Sequence, residues 1–528
     1  MNKIFNRKNY QIFLVLLVAL QPFVDLDYLI YGQLDAFGLP RLSTILRFLI
    51  IPLVIVIGFF LFDKKKKSTL IAVFSYLGLL GAYFVVHCLN TMAIRNDLYL
   101  PYNFVFDLAD EFIYVFTMVI PYFLVYLFVK TGLTEKEIKT TICLSSAVIS
   151  IPIFLSNLFV FGKSTYVGDT QASFLTWFVE GTYDVYHPRT MASKFLFEEG
   201  NTIGIVLFML LPLMYYYFDK EENKKMRTGI GALILIQSLS MIILSTKVAT
   251  YGSIICAAVF LAIKFFCAFI MKNTKIQKVT LFFSIAMMIL WAVILPYCPA
   301  IVNQQMDQEN DLIVLDDNYM IEEGKGGVGK DLEEAKTKWD PALVYQFEVY
   351  GIKSNLMSAI PKSYFMEWYT YKHDAYFWLD MLFNVPFYER VNGRQVQTMF
   401  IKYKWSETPN PPTDYLFGLG YSEMMNGSLI LEQDFVQQFY SFGYLGWPLI
   451  AGPWIAIVLY GVVQVLRRFK DYFRTDILVF ACSVVFGLGG AYMSGHVLDE
   501  YTSSIFIAFL VSVLLMKLTQ KTGENHEG

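Results

Sequence analysis

The chain has 528 residues, of which 56% are hydrophobic and 16% are charged, and its formal net charge is −3. A water-soluble protein carries closer to ~25% charged residues, so this composition excludes an ordinary soluble domain. The apolar residues occur in runs of the ~20 residues that a helix needs to cross a bilayer, and the near-neutral charge gives no reason to expect a nucleic-acid partner. We therefore predict an all-α polytopic membrane protein.

About twelve apolar runs are long enough for tilted membrane helices. In chain order they are 10–24, 42–62, 69–89, 111–129, 138–161, 196–218, 228–244, 248–271, 279–299, 442–466, 476–495 and 502–516. The first run lacks a small-residue cleavage site, so we interpret it as a retained anchor. The spans divide the chain into 1–299 (helices one to nine), a loop domain at 300–430, and 431–528 (an interfacial helix and helices ten to twelve).

Basic residues precede the first span and follow every even-numbered span, for example at 64–67 and 220–227. Because short cytoplasmic loops are enriched in Lys and Arg, this pattern predicts that both termini are cytoplasmic. The large loop between spans nine and ten is then extracytoplasmic. Two smaller loops, 95–110 and 162–195, share that side.

The cysteines and one glycine-rich motif bear on cofactor and nucleotide chemistry. The six cysteines lie in or near spans, and they indicate neither a disulfide framework nor a zinc site. Cys88 and Cys298 both fall near the outer surface, but two buried free thiols are the favoured interpretation. Residues 324–330 (GKGGVGK) resemble a phosphate-binding loop, yet Asp331 stands where magnesium binding needs Ser or Thr. A flexible connector is the better interpretation, so we predict no cofactor and no metal.

Polar side chains cluster just before the tenth span, in a segment otherwise rich in Phe, Tyr and Leu. Glu432, Asp434, Gln437 and Gln438 lie there. Carboxylates beside hydrocarbon cost a few kcal/mol each and usually mark a wet, functional cavity, although an interfacial amphipathic helix has the same pattern. If the segment is helical, Glu432 and Asp434 point ~200° apart and cannot both face one site. Gln437 and Gln438 would share the face of Asp434.

Several cations are predicted to face outward, where Lys and Arg are less frequent. Arg41 and Arg47 lie at the outer end of span two, Arg189 lies in an outer loop, and Lys247 lies in the turn between spans seven and eight. Arg grips phosphate oxygens with two hydrogen bonds and Lys acts as a point charge, so these residues indicate an anionic partner. The alternatives are snorkelling or local ion pairs, for instance with Glu198 or Glu199.

Three short motifs, in this order, carry a resemblance to a known family. They are HPRT at 187–190 leading to FEEGNTIG at 197–204, STKVA at 245–249, and a closing set of GLGY at 418–421, EQDF at 432–435 and GYLG at 443–446. Together they resemble the O-antigen ligase and Wzy-like polysaccharide polymerase superfamily. Many members carry a His-Asn pair where this chain has Glu432 and Asp434, which indicates a carboxylate-bearing branch.

The resemblance implies a glycosyltransferase of the bacterial cytoplasmic membrane. Such enzymes take a glycan carried on undecaprenyl diphosphate and transfer it, without metal or nucleotide, to a hydroxyl of another glycan or an envelope acceptor. It implies that diphosphate is bound by Arg189, Lys247, Arg47 and Arg41, with Asn201, Glu199 and Gln437 as further substrate contacts. Asp434, or else Glu432, would accept the hydroxyl proton. Expected partners are membrane lipid and the flippase, chain-length or anchoring proteins of the same pathway; whether the enzyme is a polymerase or a ligase stays open.

Two other function classes compete with this interpretation. A lipid-linked oligosaccharide flippase or exporter would line a central cavity between similar halves with charges, but the sequence shows no internal repeat and its charges cluster at span ends. A non-enzymatic envelope assembly or sensor protein would use the large loop as a binding module.

Overall fold

The structure is a computed structural model, and it describes residues 6–97, 106–179, 187–306, 364–365, 369–374, 377–378, 380–381, 385, 389, 393–421 and 431–519. The side chains of 95–97, 178 and 179 are not described. The glycine-rich motif at 324–330 and most of the predicted loop domain lie outside these residues. Within them the fold is helical, without a β-strand, and two isolated bridges join Lys163 to Asp169 and Ser164 to Ser193.

The helices follow the predicted spans closely. In chain order they are α1 (Arg7–Ala19), α2 (Gln21–Val24), α3 (Tyr31–Ala36), α4 (Leu42–Phe62), α5 (Lys66–Asp97), α6 (Leu108–Thr131), α7 (Glu135–Leu158), α8 (Thr176–Val179), α9 (Gly200–Lys220), α10 (Lys224–Leu244), α11 (Lys247–Phe265), α12 (Lys278–Ile294), α13 (Gly393–Ser406), α14 (Pro411–Phe417), α15 (Asp434–Ile450), α16 (Gly452–Arg467), α17 (Phe469–Tyr472), α18 (Thr475–Met493) and α19 (Tyr501–Thr519). In the described part of the chain ten helices are long and apolar enough to cross a membrane, or twelve spans if two bent pairs are included. The prediction of an all-helical membrane protein with about twelve spans is confirmed.

The two bent pairs are the first and tenth predicted spans. The first pair, Arg7–Ala19 with Gln21–Ala36, bends by 65°, and the second, α15 with α16, bends by 44°. Pro22 and Pro453 follow the two breaks, and proline has no N–H with which to continue the preceding helical ladder. The first span is longer than predicted because its polar continuation, which contains Asp25 and Asp27, is also largely helical.

The chain forms two compact units. Unit 1 comprises residues 1–71, 117–303 and 454–528, and unit 2 comprises 72–116 and 304–453. In unit 1 helix α9 is central: it packs against α7, α10, α11, α18 and α19, and its side chains are almost all buried. Small residues permit this packing, as is common between membrane helices. A Cβ on Gly487 would lie 2.5 Å from Met209 Sδ, and one on Gly204 would lie 2.8 Å from Thr246 Oγ1.

All six cysteines are free thiols, so the preference for two unpaired thiols at Cys88 and Cys298 is confirmed. Both of these side chains are buried.

A buried lysine organises the described residues next to α13 in unit 2. The ammonium of Lys404 hydrogen-bonds the hydroxyl of Tyr369 and lies 4.4 Å from the centre of that ring. Asp374 Oδ2 accepts from the hydroxyls of Tyr369, at 2.7 Å, and Tyr403, at 2.9 Å. Burial lowers the pKa of Lys404 from 10.5 to about 8, although Asp374 and Glu407 act in the opposite direction.

This lysine predicts an unusual pH dependence of stability. Between pH 8 and pH 10 the unfolded chain binds more protons at residue 404 than the folded chain, so the free energy of unfolding should rise with pH, on the order of 2 kcal/mol in total. Above the ordinary tyrosine pKa of 10.0 the trend should reverse, because burial raises the pKa of Tyr369 and the folded state then holds the extra proton. Thermal unfolding in detergent at about pH 8, 9 and 10 measures this.

Lys404→Met keeps the apolar stem and should remove the rise between pH 8 and pH 10. Lys402→Met, at an exposed position on the same helix, should keep it. An undiminished rise in Lys404→Met would contradict the assignment.

Candidate functional site

Two of the predicted outward cations lie in an ion-pair network at one end of unit 1. The guanidinium of Arg47 forms a bidentate ion pair with the carboxylate of Asp25, with two nitrogen–oxygen distances of 2.7 Å, and lies 4.7 Å from the ring centre of Tyr501. Arg41 pairs with Glu198 at 2.6 Å and with Asp27 at 3.1 Å. The alternative of local ion pairs is therefore what the structure shows for these two arginines, and their binding of diphosphate stays a prediction.

The Arg47–Asp25 pair predicts a strong effect on stability, because both side chains are about nine-tenths buried. Removing one partner of a buried pair leaves an uncompensated charge and typically costs ~3–5 kcal/mol. We expect Asp25→Asn and Arg47→Gln each to lower the unfolding temperature strongly, whereas the double variant should lose less than the sum. Thermal unfolding in detergent tests this.

Asp35→Asn is the matched control, because Asp35 is exposed in the same bent helix pair. An Asp25→Asn protein as stable as the control would show that the pair contributes little.

The segments that carry Arg189 and Lys247 are brought together by the loop at 164–166. Ser164 Oγ donates to the carbonyl oxygen of Arg189 at 2.5 Å. The hydroxyl of Tyr166 donates to the carbonyl oxygen of Ser245 at 2.6 Å. Between them, Thr165 Oγ1 donates to the carbonyl oxygen of Leu244 at 2.8 Å. This loop therefore holds the backbone at Arg189 close to the turn that precedes Lys247.

Lys247 itself is exposed at the first position of α11. Thr246 caps this helix, its side chain accepting from the amide of Ala249 at 3.3 Å. Helix N-termini carry partial positive charge and free amide donors, so this turn has the chemistry of an anion site.

Glu199 and Asn201 are exposed and lie at the start of α9, beside the same loop. Gly200 permits this approach, because a Cβ there would lie 2.6 Å from Thr165 Cγ2.

Glu199 also lines a narrow cleft with Asp25, Glu198, Thr202, Glu500 and Thr502. Burial, reinforced by Asp499, Asp25 and Glu198, raises the pKa of Glu500 to about 8, so this carboxyl is largely neutral at physiological pH. The sequence analysis did not predict this acidic cleft. Asp25 and Asp27, which stand next to an apolar run, could have indicated it.

In unit 2, Asp434 is the first residue of α15 and is buried. Gln437 and Gln438 are buried on the same side, as predicted from their spacing. Gln437 joins the helix to the preceding chain, since its Oε1 accepts from the amide of Leu431 at 3.2 Å and its Nε2 donates to Ser441 Oγ at 2.9 Å.

Glu432 is not on the helix, and the prediction that it lies ~200° from Asp434 was wrong because α15 begins only at Asp434. Its carboxylate pairs with Arg394 of α13 at 2.9 Å, and its amide donates to Gln397 Oε1 at 3.3 Å. Arg394 is a cation that the sequence interpretation missed.

The glycines of the closing motifs form a close backbone crossing. At Gly443 the chain leaves helical geometry, with φ 64° and ψ −170°, so that two helical segments of α15 meet at a kink and the second one opens just after this glycine, as predicted. Two carbonyl oxygens just before this break accept hydrogen bonds from residues outside the helix. The carbonyl oxygen of Tyr440 accepts from the amide of Leu419 at 2.9 Å, and that of Ser441 accepts from the amide of Gly420 at 3.0 Å. A Cβ on Gly418 would lie 2.1 Å from the carbonyl oxygen of Ser441, so only glycine fits.

Two ionisable side chains of α5 and α6, which the sequence interpretation missed, hold this crossing. His87 Nδ1 donates to the carbonyl oxygen of Phe417 at 2.7 Å, and its Nε2 lies 3.3 Å from Glu111 Oε2. Glu111 Oε1 accepts from the amide of Tyr421. Both side chains are fully buried within predicted membrane spans. Because ionisable residues are rare there, their presence in the sequence could have marked both as candidates.

The sequence of this chain matches that of a known protein family. The sequence profile described as "O-antigen ligase like membrane protein" matches residues 7–521. The chain belongs to this O-antigen ligase-like family. No curated protein and no solved structure shows significant similarity to it. Membership confirms the resemblance and indicates that this O-antigen ligase-like protein is a membrane enzyme that ligates or polymerises glycans.

Proposed function

We propose that this protein transfers a glycan from a polyprenyl diphosphate carrier to a hydroxyl group of a glycan or envelope acceptor, at the outer face of a bacterial cytoplasmic membrane. Family membership over residues 7–521 is the observation that carries the proposal. The basic loops after the even-numbered spans support the orientation, with both termini in the cytoplasm.

The donor diphosphate requires cations, and Arg189 and Lys247 are the best candidates. Their segments are held together by residues 164–166, and Lys247 adds its charge to the N-terminus of a helix of 19 residues. Arg41 and Arg47 are already engaged by Glu198 and Asp25, so we assign them a secondary role in diphosphate binding.

The acceptor hydroxyl requires a base, and we assign this role to Asp434. The hydroxyl oxygen forms a bond to the anomeric carbon of the donor, and the bond from that carbon to the phosphate oxygen breaks. The leaving polyprenyl diphosphate takes the bonding electron pair, and the cations stabilise its charge. The hydroxyl proton passes to the carboxylate of Asp434, a contribution of typically ~10²–10⁴-fold. Glu432, paired with Arg394, is the second candidate.

A transfer assay with purified protein tests the proposal. In detergent, with a labelled lipid-linked repeat unit as donor, we expect label to appear in longer or transferred glycan, together with released polyprenyl diphosphate. A flippase would show no product without a bilayer, and a binding protein would retain the donor unchanged. Either of those results, obtained with folded protein that binds the donor, would refute the proposal.

A further inference from the structure

A second cavity, of about 300 Å³ and lined mainly by charged residues with apolar stems, lies at the opposite end of α9. It is lined by the beginning of α7 and the end of α9, through Glu135, Lys136, Lys139, Tyr217, Lys220 and Glu221. Its volume is at the lower end of the range for small-ligand pockets, ~300–1,000 Å³. Nothing in the proposed glycan transfer uses these residues.

The charges of this cavity are mostly paired, but they leave a positive excess. Lys139 pairs with Glu221, and Glu135 accepts from both Lys220 and Lys517 at 3.2 Å. Lys136 is exposed and forms no ion pair with the residues that the structure describes. Three lysines therefore face two glutamates in the lining. Lys517 lies behind them and also pairs with Asp476 at 3.5 Å, so it leaves this excess unchanged.

The position and walls of the cavity favour a lipid over a soluble ligand. α7, α9 and α19 are all candidate membrane spans, and the cavity lies at their ends, which is the level of the lipid headgroups. Its floor contains the buried ring of Tyr217, whose hydroxyl donates to Glu135 Oε1 at 3.3 Å. The lysine stems add apolar surface around the mouth, so an acyl chain and a charged headgroup both find a suitable environment.

We propose that this cavity, which we name the Lys136 pocket, binds the phosphodiester headgroup of an anionic phospholipid. Lys136 and Lys220 contact the phosphate, while Lys139 and Lys517 keep the two glutamates neutralised. Basic pockets between membrane helices on the cytoplasmic side are a recognised form of such recognition, and the predicted orientation places the pocket on that side.

Native mass spectrometry of the purified full-length protein tests the proposal, with phosphatidylglycerol as the probe and phosphatidylcholine as the neutral comparison. We expect one phosphatidylglycerol to bind at least about tenfold more tightly than phosphatidylcholine. Lys136→Gln combined with Lys220→Gln should weaken that binding by at least about tenfold, since each lysine near an anionic headgroup contributes about fivefold.

Lys224→Gln combined with Lys225→Gln is the matched control, because these exposed lysines lie at the same membrane end, outside the pocket. It should change binding less than about twofold. The Lys220–Glu135 pair is half-exposed, so its loss should not unfold the protein. If it does, Lys136→Gln alone decides the question.

Equal weakening by the control pair, or equal affinity for phosphatidylcholine, would overturn the proposal. Competition by millimolar inorganic phosphate as effective as that by phosphatidylglycerol would also overturn it, because the pocket would then be a soluble-anion site. None of these outcomes depends on the transfer assay.

Discussion

Asp434→Asn is expected to slow glycan transfer by ~10²–10⁴-fold, because an amide cannot accept the proton of the acceptor hydroxyl. Asn has nearly the same shape as Asp and keeps a side-chain oxygen at the first residue of α15. The variant should therefore fold. The rate of product formation from a labelled lipid-linked donor measures the loss.

Three further variants separate chemistry from structure. Asp434→Glu keeps a carboxylate and should retain part of the activity. Glu432→Gln should weaken transfer without abolishing it, since Glu432 lies outside the helix and is paired with Arg394. Asp471→Asn, at an exposed position in α17, should be unchanged. Near-normal polymer length in cells that carry Asp434→Asn would remove Asp434 from the role of base.

Gly443→Ala is expected to be among the most destabilising single substitutions in unit 2. The backbone at φ 64° and ψ −170° is essentially restricted to glycine, a strain of ~1–3 kcal/mol for any other residue. The added Cβ would also lie 2.6 Å from both the amide nitrogen of Gly418 and the carbonyl oxygen of Tyr415, and backbone atoms cannot rotate away. We expect a total loss of at least about 3 kcal/mol or no folded protein, measured by thermal unfolding and size-exclusion chromatography.

Gly452→Ala is the control for this substitution. It lies nine residues further along the same bent helix pair, and a Cβ there meets nothing within 4 Å. This protein should be as stable as the wild type. A Gly443→Ala protein with unchanged stability would mean that the crossing is looser than the structure shows.

The spans were predictable because hydropathy is a local property. Each predicted span corresponds to a described helix or bent pair, and 42–62 agrees with α4 at both ends. The tenth span, predicted to begin at 442 after an interfacial helix, agrees with the kink at Gly443 that divides α15. The same local reasoning placed Asp434, Gln437 and Gln438 correctly on one buried face.

The polar contacts were not predictable because they join residues far apart in the chain. The His87–Phe417 hydrogen bond spans 330 residues and the Asp25–Thr502 hydrogen bond spans 477. No periodicity indicates such partners. The closing glycines belong to a sequence signature, but the structural reason for them is contact between two backbone segments, which neither segment reveals alone.

The crossing also has a consequence for biosynthesis. His87 emerges from the ribosome 330 residues before Phe417, whose carbonyl oxygen it binds, and Glu111 emerges 310 residues before Tyr421. At ~5–20 residues per second, the nascent chain waits on the order of tens of seconds before these side chains can reach the backbone of Phe417 and Tyr421. Throughout that interval the two side chains stand in a partly assembled helix bundle, where each stays within reach of the other, since His87 Nε2 and Glu111 Oε2 lie 3.3 Å apart in the folded chain.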